Sequence, residues 1–97
     1  MRPSASLSQH TKRIVEVISR YPVRNPRLFG SAARGEDTEE SDIDILVDAD
    51  PRTTYYDLAR LEMELEGVLG CKVQVMTPGD LAPDIAKRVE PDLRPIR

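Results

Sequence analysis

Cysteine occurs once, at Cys71, so no internal disulfide can form. A reducing cytosol is the compartment this usage fits. No apolar run approaches the roughly 20 residues that a membrane helix needs. Met1 to His10 lacks the apolar centre of a secretory signal. Internal repeats and low-complexity segments are also missing. So is any excess of positive charge: 14 Lys and Arg against 17 Asp and Glu leave a net charge of -3. That balance excludes a protein whose main work is coating nucleic acid. The one histidine, His10, has no partners at metal-ligand spacing.

What is present describes a globular domain. Hydrophobic residues make up 39% and charged residues 32%, a mixture that folds rather than staying disordered. The 97 residues are expected to form one domain, 1–97. A chain this short buries proportionally little surface, so a homo- or hetero-oligomer or a partner protein is expected.

Periodicity gives the elements. Leu7, Thr11, Ile14 and Ile18 recur at helical steps, predicting one helix over Ser4 to Arg20, stopped by Pro22. Val23 to Phe29 reads as a strand, with Pro26 marking an edge or an irregular start. Gly30 to Gly35 reads as a tight turn opening a brief helical turn. Glu36 to Ser41 is a polar loop, whose Glu36, Asp37, Glu39 and Glu40 are expected to be solvated. Ile43 to Val47 is a strand, with Ile43, Ile45 and Val47 on one face. Thr53 or Thr54 caps a helix that runs to Leu69 on a stripe of Leu58, Leu61, Leu65, Val68 and Leu69. Gly70 ends it. Lys72 to Met76 is a third strand, Pro78-Gly79 a turn, and Leu81 to Val89 a last helix. The expected class is α/β, in the order α-β-α-β-α-β-α around a small sheet.

The chemistry lies in two neighbouring segments: Leu28-Phe29-Gly30-Ser31-Ala32-Ala33-Arg34-Gly35, and Ser41-Asp42-Ile43-Asp44-Ile45-Leu46-Val47. Asp42 and Asp44 share one strand face, roughly 6.5 to 7 Å apart, while Ile43 and Ile45 point to the core. Two such carboxylates repel each other unless a cation lies between them. Hard oxygen ligands suit Mg²⁺, which completes its shell with waters and substrate phosphates. Two such ions can activate an attacking oxygen and stabilise a leaving pyrophosphate. Gly30 lets the backbone approach a phosphate. The free amides of the turn and the Ser31 hydroxyl can hold phosphate oxygens, and Arg34 can add a charge-assisted contact. Together they form a phosphate cradle beside a metal clamp, which nucleotidyl transfer requires.

Competing patterns fail. Gly30-x-x-x-x-Gly35 half-matches a phosphate-binding Walker loop, but Glu36 and Asp37 stand where Lys and Ser or Thr belong. A calcium loop starting at Asp42 would put Leu46 and Val47 at its ligand and glycine positions. Arg34 reads as a phosphate contact or a structural salt bridge ahead of a free surface charge. Tyr55 and Tyr56 could stack on a base, but helix-start packing is the expected reading.

Gly30-Ser31, ten residues, then Asp42-x-Asp44 resembles the signature of the DNA polymerase β-like nucleotidyltransferase superfamily. The wider context is similar to the minimal nucleotidyltransferases found beside HEPN-domain proteins in prokaryotes. This similarity runs through Lys72 to Thr77 to the final Leu81-x-Pro83-x-Ile85. The resemblance implies a nucleotidyltransferase fold with a small mixed sheet flanked by helices. It implies Mg²⁺, two ions by the chemistry above, with ATP or another nucleoside triphosphate as substrate. It further implies an antitoxin role in the cytoplasm, in which AMP is transferred to a hydroxyl of an RNA-cutting HEPN toxin. Asp42 and Asp44 would hold metal, and Gly30, Ser31 and Arg34 the nucleotide. The family's third carboxylate falls on Gln74, on the next strand. A glutamine oxygen can ligate a metal but cannot serve as a general base. A binding-only antitoxin with a decayed site is therefore the alternative. The acidic loop disfavours a template-dependent polymerase and direct nucleic-acid binding, and the chain calls for no membrane.

Overall fold

The computed structural model describes residues 1–97. Helix α1 (Pro3–Gln9) and helix α2 (Thr11–Ser19) precede strand β1 (Val23–Phe29) and the short helix α3 (Ser31–Arg34). Strand β2 (Ile43–Ala49), helix α4 (Tyr55–Leu69) and strand β3 (Val73–Met76) follow. A 3₁₀ turn at Pro78–Asp80, helix α5 (Pro83–Val89), a 3₁₀ turn at Glu90–Asp92 and strand β4 (Arg94–Pro95) complete the chain. The strands form one mixed sheet in the order β3-β2-β1-β4. β1 is antiparallel to β2 and β4, and β2 is parallel to β3. Parallel pairing needs a crossover, and α4 supplies it.

The single N-terminal helix expected from periodicity is instead two, broken at His10 (φ -115°, ψ 19°). Thr11 Oγ1 donates to the Leu7 carbonyl at 2.8 Å, and His10 Nδ1 lies 2.9 Å from the Ser6 carbonyl. Side chains thus occupy carbonyls at the break, the usual competition between short polar side chains and helix bonds. The break lets α1 tuck under the end of α4, where buried Ser6 Oγ donates to the Leu69 carbonyl at 2.7 Å.

Pro26 marks an irregular strand, as expected. The β1–β2 register shifts between Arg24 and Arg27, and Asn25 takes φ 55° there. Thr54, rather than Thr53, caps α4, in a reciprocal capping box with Asp57. β4 was not expected: it is only two residues long, too short for a periodic signal.

The core lies between the sheet and α1, α2 and α4. Ile43, Ile45, Val47, Leu61 and Leu65 are fully enclosed there, with Ile14, Val17 and Ile18 from α2. One face of β2 is therefore committed to the core, and alternation sends Asp42, Asp44, Leu46 and Asp48 to the other.

Candidate nucleotide site

The register assembles the site on that second face. Asp44 pairs with Phe29 across β1–β2 and with Gln74 across β2–β3. Gln74 alternates with the buried Val73 and Val75 and shares Asp44's face. Adjacent strands lie about 4.8 Å apart, so Gln74 is Asp44's lateral neighbour.

Gly30 follows Phe29 and stands beside Asp44. Its backbone has φ 79° and ψ -160°, a region essentially reserved for glycine. A Cβ at this position would lie 2.6 Å from Asp44 Oδ2. The glycine is therefore needed by the carboxylate as well as by any approaching phosphate. Sequence reasoning assigned only the second role. Ser31 opens α3, whose N-terminus has no side-chain cap.

Asp44 is half-buried, and its carboxyl is pushed above the usual range by burial and then by the negative charge of Asp42. No hydrogen bond or cation of the protein offsets either effect. No group of three or more His, Cys, Asp or Glu gathers here or elsewhere. The donors are two carboxylates and one neutral amide oxygen. Such a set fits Mg²⁺, which takes one or two carboxylates and leaves the rest of its shell to water and phosphate.

Arg34 turns to carboxylates. Its Nε donates to Glu36 Oε1 at 2.8 Å and its Nη1 to Asp92 Oδ2 at 2.7 Å. The bonds to Glu36 and then Asp92 raise its already high pKa. These pairs tie the Gly30-Ser31 turn to the C-terminal segment. Gly30, Asp42, Asp44 and Gln74 come together on the open face, with Ser31 starting the turn beside it.

Asp37 corrects the picture of a solvated acidic loop. Its side chain is fully enclosed, while Glu36, Glu39 and Glu40 are exposed. Arg2 Nη2 donates to Asp37 Oδ1 at 2.8 Å, and the Ser4 amide donates to Oδ2 at 2.8 Å. Burial alone would raise the Asp37 carboxyl, but these bonds outweigh it and hold it at about 2. Arg2 also donates to the Gly35 carbonyl at 2.9 Å. The loop leading into Asp42 is thus pinned to α1. Sequence patterning gave no signal for it, because partners 35 residues apart leave no local trace.

The site is a shelf on which Asp42, Asp44 and Gln74 are each half-buried. A cleft of about 330 Å³, lined by Ala49, Thr53, Thr54, Tyr55, Leu58 and Thr77, lies at the far end of β2 and includes neither aspartate.

Known proteins resemble this chain in sequence and in fold. A family model described as a nucleotidyltransferase domain matches residues 11–95. Protein adenylyltransferase MntA of Thermococcus cleftensis is 40% identical over 86% of this chain and 81% of its own length. A solved structure described as a candidate minimal nucleotidyltransferase superposes with a TM-score of 0.83. It is 35% identical, and the match covers 95% of this chain and 94% of that one. A toxin–antitoxin structure with AMP-PNP superposes with a TM-score of 0.77 at 20% identity, over 90% of this chain and 72% of that one. This last likeness shows a shared fold.

Proposed function

The chain belongs to the nucleotidyltransferase domain family, as one of its minimal members, and we propose that this nucleotidyltransferase transfers AMP from ATP to a hydroxyl of a partner toxin. One observation carries the reading: Asp42 lies close enough to Asp44 to act on its charge, Gln74 stands alongside Asp44 on the neighbouring strand, and Gly30 makes room for the Asp44 carboxylate. MntA, the relative named above, is a protein adenylyltransferase, which supports AMP as the transferred group and a protein as acceptor. The toxin–antitoxin neighbour with AMP-PNP supports a toxin partner through its shared fold. The partner is of the HEPN type, and the compartment is the cytoplasm. No helix is long and apolar enough to cross a membrane.

In the reaction the acceptor oxygen bonds to the α-phosphorus, the bond from that phosphorus to the pyrophosphate breaks, and the hydroxyl proton leaves to solvent or a base. Asp42 and Asp44 would hold Mg²⁺, with Gln74 as a neutral oxygen donor, and the cation would neutralise charge on the triphosphate and on the leaving pyrophosphate. The Gly30-Ser31 turn presents backbone amides and a hydroxyl to the phosphates. Gln74 orients a ligand and takes no proton. None of the protein's clefts is lined by Asp42 or Asp44, so docking of the partner must orient its hydroxyl, and orientation supplies much of such a rate.

Gln74 in place of an acid favours a second reading, neutralisation of the toxin by contact alone. Both are tested by incubating the chain with labelled nucleoside triphosphates, Mg²⁺ and the HEPN protein, followed by mass spectrometry of both proteins. AMP is expected on a hydroxyl of the partner, and none with Asp42→Asn/Asp44→Asn. Neutralisation without nucleotide and without modification would replace the first reading by the second.

A further inference from the structure

β3 is an edge strand, with β2 on one side and no strand on the other. An edge strand offers a row of backbone amides with no ladder partner. In this protein α4 takes them up. The Val73 amide donates to Glu66 Oε2 at 3.1 Å, and the Val75 amide donates to Glu62 Oε2 at 2.7 Å. Glu62 and Glu66 are four residues apart on the helix, a rise of about 6 Å. Val73 and Val75 are two residues apart on the strand, about 6.6 Å. The carboxylate spacing therefore matches the amide spacing, with α4 running antiparallel to β3.

Two like charges four apart on one helix face cost stability by themselves. Both of these are half-buried, which adds desolvation. Each is offset by a charge-assisted bond to a backbone amide, roughly twice as strong as a neutral one. The residue between the two held amides is Gln74, the β3 contribution to the open face beside Asp44.

We propose that Glu62 and Glu66 are positioning residues for the nucleotide site, which fix the height and rotation of Gln74 beside Asp44 by holding the amides on either side of it. The inference rests on the reading of Asp42, Asp44 and Gln74 as one site. Neither glutamate touches substrate; both act through the β3 backbone.

The test uses the full chain. Glu62→Leu/Glu66→Leu removes both acceptors at similar volume, and Glu62→Gln/Glu66→Gln keeps an acceptor oxygen at each position. Amide hydrogen exchange is followed by NMR, and Mg²⁺–ATP affinity by calorimetry, with Gln74→Ala as the reference. In the Leu pair, exchange at Val73 and Val75 should quicken about tenfold or more, as expected for losing a bond to a charged group. Protection at Leu28 and Ile45 should stay. Affinity should fall to the level of Gln74→Ala, with no further loss when the changes are combined, and the Gln pair should recover both readouts. If the Leu pair does not fold, Glu62→Ala alone carries the same comparison, because it frees Val75 and keeps Glu66. Losses that add to those of Gln74→Ala, quickened exchange at unchanged affinity, or a Gln74→Ala equal to wild type would each overturn the positioning role. A wild type that binds no Mg²⁺–ATP sinks the proposed function instead. Positioning is then judged by the Gln74 side-chain amide resonances, which should move in the Leu pair and hold in the Gln pair.

Discussion

Gly30→Ala should damage the site through Asp44, and the damage can be divided into two parts. The first is backbone strain. At φ 79° and ψ -160°, a residue with a Cβ pays of order 1–3 kcal/mol. The second is collision. The new Cβ would stand 2.6 Å from Asp44 Oδ2, inside the 3.0 Å at which something must shift. The carboxylate is the part free to move, and driving it off its rotamer costs about 0.5–1.5 kcal/mol. In the wild-type background Gly30→Ala should therefore cost about 2–4 kcal/mol. In an Asp44→Ala background only the backbone part remains, so the two changes should couple by about 1 kcal/mol. For a domain of this size that is a difference of about 4–8 °C in thermal midpoint. The assay is a four-protein thermal cycle without divalent cation, alongside Mg²⁺–ATP calorimetry on Gly30→Ala alone. Affinity should drop with the displaced carboxylate. Midpoints that add to within a degree would refute the contact between Gly30 and Asp44, and the steric reason for the glycine with it.

Asp37→Asn should cost about 2 kcal/mol at neutral pH, since holding the carboxyl at about 2 against 3.8 stabilises the fold at 1.36 kcal/mol per pH unit. Because the folded value is depressed, that stability is present above about pH 4 and is lost as pH falls toward 2; denaturant melts of both proteins that stay equally far apart at pH 2 would count against it. Asp44→Asn should raise the thermal midpoint in EDTA at pH 7, because the folded carboxyl is raised and its ionised form costs stability above that value. The gain should shrink as pH falls through the raised value, and a pH-independent gain would mean that charge is not the cause. Gln74→Asp should lower the midpoint in EDTA, where a third carboxylate joins the pair, and Mg²⁺ should restore it with raised transferase activity. A midpoint indifferent to Mg²⁺ with unchanged activity would place residue 74 away from the aspartates.

Sequence reached the parts of this molecule whose cause is local. Strict alternation at Ile43, Ile45 and Val47 puts Asp42 and Asp44 on one face, since a strand fully enclosed on one side allows only one register. The helical stripe from Leu58 to Leu69 places α4, and its capping residues bound it. The break at His10 escaped because both helices keep apolar residues at helical spacing, and the deciding bonds are made by polar side chains that periodicity does not weigh. The sequence places Gln74 on its strand, but its nearness to Asp44 depends on the parallel pairing of β3 with β2, which only the crossover helix determines. The remaining contacts follow from that pairing. Once β3 is an edge, the amides of Val73 and Val75 need acceptors, and α4 is the element packed beside them with carboxylates at matching spacing. A sequence shows Glu62 and Glu66 as two more charges on a charged helix; what distinguishes them is an unpaired strand edge that exists only after the chain has folded.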